Sequence, residues 1–158
     1  MKEKGKIKFI LSENLNRLAK WLRILGYDAV LYKSVHFNTM VRLAIKENRI
    51  FLTRSKKIVN SSLKFSRLLI KSDDHSEQLN ELSELLEYKE EEIFSRCILC
   101  NKELYEIQKE KISHLIPKFV YETYSEFKIC RKCGRIFWRG THYQEMKNRL
   151  EKLFKIRK

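Results

Sequence analysis

Strands alternating with helices in the first half of the chain predict an α/β domain with a mostly parallel, helix-covered sheet. Two C-x-x-C pairs in the second half predict a small metal-stabilised ribbon, followed by a C-terminal helix. Charge is sorted along the chain and not mixed, so a basic, an acidic and a second basic region follow one another.

The elements follow in order. Lys6 to Leu11 (KIKFIL) is a short apolar strand. In the helix after it, Leu15, Leu18, Ala19, Leu22 and Leu25 recur at helical spacing, while Arg17, Lys20 and Arg23 fall elsewhere on the wheel. Gly26 is placed to stop that helix. Ala29 to Tyr32 is a second strand, Thr39 to Glu47 a second helix with Met40, Leu43 and Ala44 inward, and Arg49 to Thr53 a third strand. A short basic helical turn, a fourth strand at Arg67 to Ile70 and an acidic helix at Ser76 to Leu86 complete a unit from about Met1 to Glu87. Tyr88 to Ser95 is a charged junction without glycine or proline, Arg96 to Tyr143 the metal module, and Tyr143 to Lys158 a basic helix.

Cys97/Cys100 and Cys130/Cys133 are separated by 29 residues, a spacing that suits a ribbon folded around one tetrahedral ion. Four thiolates close the coordination shell, so the expected role of Zn2+ is structural, with no open position for a catalytic water. A disulfide framework is the competing account. It fits poorly, because Met1 to Lys8 is charged and the apolar stretch after it is too short for a secretory signal. No apolar run approaches a membrane span. The expectation is a cytoplasmic protein without a membrane partner.

With 34 basic and 20 acidic residues the net charge is +14, a polyanion-binding signature. Arg49 to Lys71 holds seven basic residues and no acid, and Lys128 to Lys158 eleven against two. Between them Asp73 to Glu92 holds nine acids and one lysine, which favours two localised nucleic-acid contacts over charge for solubility. The candidate RNA-binding residues are Arg54, Lys56 and Lys57 in the first basic segment and Arg131, Lys132, Arg135 and Arg139 in the second. Nine aromatic residues from Phe94 to Tyr143 build the ribbon's small core, with one or two left to stack on an unpaired base. His142 is a candidate ligand that four cysteines make unnecessary. The stripe Met146, Leu150 and Phe154 suits a C-terminal helix docked on protein as well as one lying on RNA.

In a parallel sheet the ligand crevice lies outside the carboxyl ends of the strands. Those ends deliver Ser12 and Glu13, Ser34 to Asn38, Arg54 and Ser55, and Asp73 and Asp74. Carboxylates for a divalent ion are few there, and the Asp pair also suits helix capping.

The segments FILSENLNRLAKWLRILGYDAVLY, NRIFLTRS, SDDHSEQL, SRCILCNKEL and EFKICRKCGRIFWRGTHY, in that order, resemble the Mut-7 C-terminal RNase domain family over about Lys6 to Met146. The resemblance implies a PIN-like nuclease domain over residues 1–90, a zinc ribbon over 91–143 and a basic helix over 144–158. It also implies aspartates where this chain has Ser12, Asn38 and Ser55, leaving Asp73 and Asp74 as the acids of that crevice. A hydroxyl or amide fills a carboxylate's space without drawing a divalent ion from its hydration shell. The expectation is therefore an RNA-binding protein with a catalytically degenerate site, suited to the ribosome and its RNA or to another ribonucleoprotein. The alternative is a working Mg2+- or Mn2+-dependent RNase, using Asp73, Asp74, Glu13 and, less readily because it belongs to the Gly-Tyr-Asp turn into the second strand, Asp28 as a rearranged set.

Overall fold

The computed structural model describes residues 5–33 and 36–155. Ser34 and Val35, expected just beyond the second strand, and the last three residues of the expected C-terminal helix lie outside them. Four strands, β1 (Lys8–Ser12), β2 (Ala29–Tyr32), β3 (Arg49–Thr53) and β4 (Arg67–Leu69), form a sheet in the order β2-β1-β3-β4, and every pairing is parallel. Helices α1 (Asn16–Ile24), α2 (Phe37–Lys46), α3 (Lys56–Val59) and α4 (His75–Glu81) connect and follow them.

The strand alternation decides which helix covers which face. Phe9, Leu11 and Leu52 point into a core shared with α1 and with Leu79 of α4, whereas Ile10 and Phe51 point the other way, onto Met40 and Ala44 of α2. Because both faces are covered, the strands are near-continuous apolar runs. The chain moves from β1 to β2 and then crosses back over β1 to β3, so its direction reverses at the β1/β3 boundary.

Several boundaries differ from expectation. The first strand begins at Lys8 because its partners in β2 and β3 do not reach Lys6, whose ammonium lies over the Tyr27 ring at 4.2 Å and pairs with Glu92. The acidic helix stops at Glu81, not Leu86. Its Glu81 carboxylate turns back to accept the Lys71 and Ser72 backbone N–H groups at 2.9 and 2.8 Å, and the following residues tighten into i→i−3 turns. Those turns still bury Leu82 and Leu86, and Tyr27 Oη accepts the Glu87 N–H at 2.7 Å. Gly26 does stop α1, at φ +88°, and a Cβ there would lie 2.7 Å from the Glu92 carbonyl oxygen of the junction.

The second half folds as a three-stranded antiparallel sheet of β5 (Tyr105–Ile107), β6 (Phe127–Ile129) and β7 (Ile136–Trp138), with α5 (Lys118–Thr123) between β5 and β6. Ile112, Ile116, Val120 and Phe127 form its own small core. The last helix, α6 (Thr141–Lys155), begins two residues before Tyr143 and buries Tyr143 and Leu150 in the core of Phe9 and Leu22. Met146, Leu153 and Phe154 pack against the same core, so the apolar stripe of this helix docks on the chain's own α/β unit. Among the described residues no helix is long and apolar enough to cross a membrane.

Candidate metal centre and nucleic-acid interface

The four cysteines converge. Their sulfurs all lie within 4.8 Å of one another, and the Cys97 and Cys133 sulfurs are 3.8 Å apart. Four thiolates at a Zn–S distance of about 2.3 Å require tetrahedral edges of about 3.8 Å, so this donor set fits zinc. All four are free cysteines, not disulfides.

The two knuckles are built alike. Cys97 and Cys130 donate their N–H groups to the Lys102 and Arg135 carbonyls at 2.8 and 2.9 Å, and their own carbonyls accept from Asn101 and Gly134 at 2.9 and 2.8 Å. Each turn therefore needs a left-handed residue directly after its second cysteine, supplied by Asn101 (φ 61°) and Gly134 (φ 75°). Burial pushes the Cys97 thiol up, and burial together with the Cys133 and Cys97 sulfurs pushes Cys100 up to about 12. Cys133, receiving the Arg135 N–H, is held down at about 7. A dication at the centre is what lets such crowded sulfurs ionise together. His142 is an exposed side chain, 3.9 Å from Glu145, and outside this group.

The first knuckle is bolted to the amino ends of the strands. Asn101 donates to Asp28 Oδ1 at 2.7 Å and accepts the Ala29 N–H at 3.0 Å. Arg49, 7 % exposed, makes a two-pronged contact with Asp28 at 2.8 and 3.1 Å, pairs with Glu47 and donates to the Phe9 carbonyl at 3.2 Å. Burial raises the Asp28 pKa, but the hydrogen bonds from Arg49 and Asn101 outweigh it and hold the carboxyl below its ordinary range. Arg23 donates to the Ala29 carbonyl at 2.9 Å and reaches the Ile98 and Leu99 carbonyls of the knuckle at 2.9 and 3.3 Å. It was expected on the polar side of its helix and is buried instead. Arg23 stands four residues after Ala19 on the apolar stripe, which was the available signal. Asn101 carried one too, since it occupies the place that Gly134 holds in the second knuckle.

The carboxyl ends of the strands are treated differently. The register Ser12 to Tyr32, Leu11 to Leu52 and Thr53 to Leu69 aligns them along one edge, with Ser12 the last residue of β1 and Asn38, Ser55, Asp73 and Asp74 just beyond the edge or in the first helical turn after it. The Ser12 hydroxyl donates to Asn14 Oδ1 at 2.9 Å, and Ser55 Oγ caps α3 by accepting the Ile58 N–H at 3.3 Å. Asn38 and Glu13 are exposed. Asp74 caps α4, accepting from Glu77 and Ser76 at 3.1 and 2.8 Å, which holds its carboxyl below the ordinary range. Asp73 pairs with Arg54. Asp28, a member of the rearranged acid set, lies at the opposite end of the strands beside Arg49 and Asn101.

The candidate RNA contacts form two patches. Arg54, Lys56 and Lys57 are exposed at the carboxyl edge, while Arg131, Lys132, Arg135 and Arg139 are exposed on the ribbon, which docks at the amino edge. Arg131 lies over the Tyr105 ring at 3.6 Å and Arg139 over the Tyr143 ring at 5.5 Å. Most of the ribbon aromatics are packed, as expected, leaving Tyr105 and Phe119 exposed at 40 and 64 %.

A parallel α/β unit carrying a ribbon whose four converging thiols can hold a metal ion defines a protein of the PIN-like class. Residues 7–150 match the model of the Mut7-C RNAse domain, and the chain belongs to that family. No curated protein and no solved structure matches it.

Proposed function

We propose that this protein binds RNA without cleaving it, using the PIN-like unit and the zinc ribbon as two basic contacts. Ser12, Asn38 and Ser55 stand where the family resemblance calls for aspartates. The observation that carries the non-catalytic part is the occupation of the remaining acids: Arg54 neutralises Asp73, and Asp74 accepts two N–H groups of the helix it caps. With Ser12, Asn38 and Ser55 supplying no carboxylate, these two acids leave few oxygens for a divalent cation, and the Arg54 guanidinium beside Asp73 opposes its charge. RNA as the ligand is supported by the family's nuclease description and by the charge of +14, carried largely by two acid-poor segments. Four free thiols binding zinc suit a reducing cytoplasm, and a ribonucleoprotein such as the ribosome offers the polyanion that this charge matches.

The test is one preparation of zinc-loaded protein measured for both binding and cleavage of single-stranded and structured RNA. Binding that weakens steeply with salt, with no Mg2+- or Mn2+-dependent cleavage above background, is the expected result. Cleavage that co-purifies with the protein and disappears in Asp73→Ala would establish the RNase instead. In the triple variant Ser12→Asp, Asn38→Asp, Ser55→Asp, calorimetry should detect a gain of Mn2+ binding.

A further inference from the structure

A cleft of about 980 Å³ separates the β2 edge of the sheet from the two zinc knuckles. Its three carboxylates are all matched: Asp28 and Glu47 by Arg49, and Glu103 by Arg96 at 4.0 Å. Arg23, also in the wall, is occupied by backbone carbonyls. Three cations remain. Lys102 and Lys132 have no ion-pair partner among the described residues, and the Arg131 guanidinium lies over the Tyr105 ring, its carbon 3.6 Å from the centroid. The surplus charge in this cleft is therefore positive and is arranged around a guanidinium that lies over an aromatic ring.

A Zn(Cys)4 centre carries two negative charges, and a basic Arg131–Lys132 pair between Cys130 and Cys133 offsets them. That offset needs no aromatic partner and does not explain Lys102. Nor does it account for a Tyr105 ring left 40 % exposed in a module that packs most of its other rings. Arginine planes and aromatic rings are the surfaces on which proteins stack unpaired bases, and cations beside them take the phosphates. The volume admits a nucleotide, whereas a base-paired helix has no free base face to offer the stack.

We infer that this cleft is a single-stranded RNA subsite in which one unpaired base stacks on Arg131, backed by Tyr105, and Lys102 and Lys132 hold the flanking phosphates. The inference rests on the RNA-binding function proposed above and adds to it a strand type and a position.

Full-length, zinc-loaded protein is titrated with a fluorescein-labelled 12-nucleotide single-stranded RNA, with the same strand in a duplex, and with copies carrying one abasic site each. The wild type should prefer the single strand and lose about tenfold in affinity when the abasic site falls at the stacked position. Arg131→Lys, which keeps the charge and removes the plane, should lose about tenfold, retain the salt slope and become indifferent to every abasic site. Tyr105→Phe should match the wild type and Tyr105→Ala should resemble Arg131→Lys. Joint loss of Lys102 and Lys132 to alanine should instead flatten the salt slope by about two phosphates' worth. Zinc content and thermal unfolding accompany each variant, and Arg131→Lys decides the matter if Tyr105→Ala does not fold. Wild-type binding in Arg131→Lys, alongside lost binding when Arg54, Lys56 and Lys57 are removed, would overturn the cleft while leaving RNA binding intact. No binding by the wild type would overturn both.

Discussion

The two ends of the same four strands are built in opposite ways. At the amino end, buried Arg49 and Arg23 are held by carboxylates and carbonyls, and Asn101 of the knuckle is clamped to Asp28 and Ala29. At the carboxyl end, Arg54 and Asp73 form one exposed pair, and Ser12, Ser55 and Asp74 make short-range turn and cap bonds. Buried charges are costly to leave without partners, whereas exposed ones are solvated in either state. The amino end is therefore structural and intolerant. The carboxyl end, where folds of this kind place their chemistry, can change residues at little cost in stability, so substitution there is compatible with an intact fold.

Four measurements test that contrast. The largest effect is expected from chelating zinc, because metal-binding energy in such modules, on the order of 10 kcal/mol, is also folding energy. The ribbon should unfold, and the α/β unit should melt at a lower temperature because Arg23, Asp28 and Ala29 lose their knuckle partners. Hydrogen exchange should show the loss of protection concentrated at the amino ends of β1 and β2. An α/β melting temperature unaffected by chelation would show that the clamp contributes nothing.

Next, Asp28→Asn should destabilise the protein by about 2–3 kcal/mol in chemical denaturation, because buried Arg49 loses its two-pronged partner and keeps only Glu47. The depressed carboxyl makes the sign of the pH dependence definite. Its contribution is complete above its ordinary value of 3.8 and is lost as pH falls through the lower folded value. The stability difference between wild type and Asp28→Asn should accordingly shrink on acidification.

Gly26→Ala should cost about 1–3 kcal/mol, since it adds a Cβ 2.7 Å from the Glu92 carbonyl oxygen at a positive φ. A thermal melt showing no loss would mean that the junction between the two halves can shift. The smallest effect is expected from Asp73→Asn, about 1 kcal/mol or less in the same denaturation assay, because the carboxylate is 85 % exposed in its pair with Arg54. If it equalled Asp28→Asn, the two edges would not differ in the way described.

The local elements and the cysteine quartet able to hold a metal were already fixed by residue order. Strand 29–32 and strand 49–53 were legible to the residue, because short apolar runs of this length between helical segments leave little choice of conformation. The cysteine quartet was legible because zinc fixes both ligand type and ligand spacing. The acidic helix ends before its pattern does, since Leu82 and Leu86 keep helical spacing while the Glu81 carboxylate bonds back to Lys71 and Ser72, ten and nine residues earlier.

Partnership over long sequence separation was decided only in three dimensions. The stripe of α6 announced an apolar surface to be covered, but not that the cover is the chain's own Leu22 and Phe9 core. Arg23 carried the charge of a surface residue and became buried because the Ile98 and Leu99 carbonyls, 75 and 76 residues away, satisfy it. Asp28 looked like part of a turn and became the anchor of the knuckle through Arg49 and Asn101. Periodicity encodes which face of an element is apolar, whereas the pairing of a buried charge depends on where distant backbone arrives, and that is a property of the packed chain.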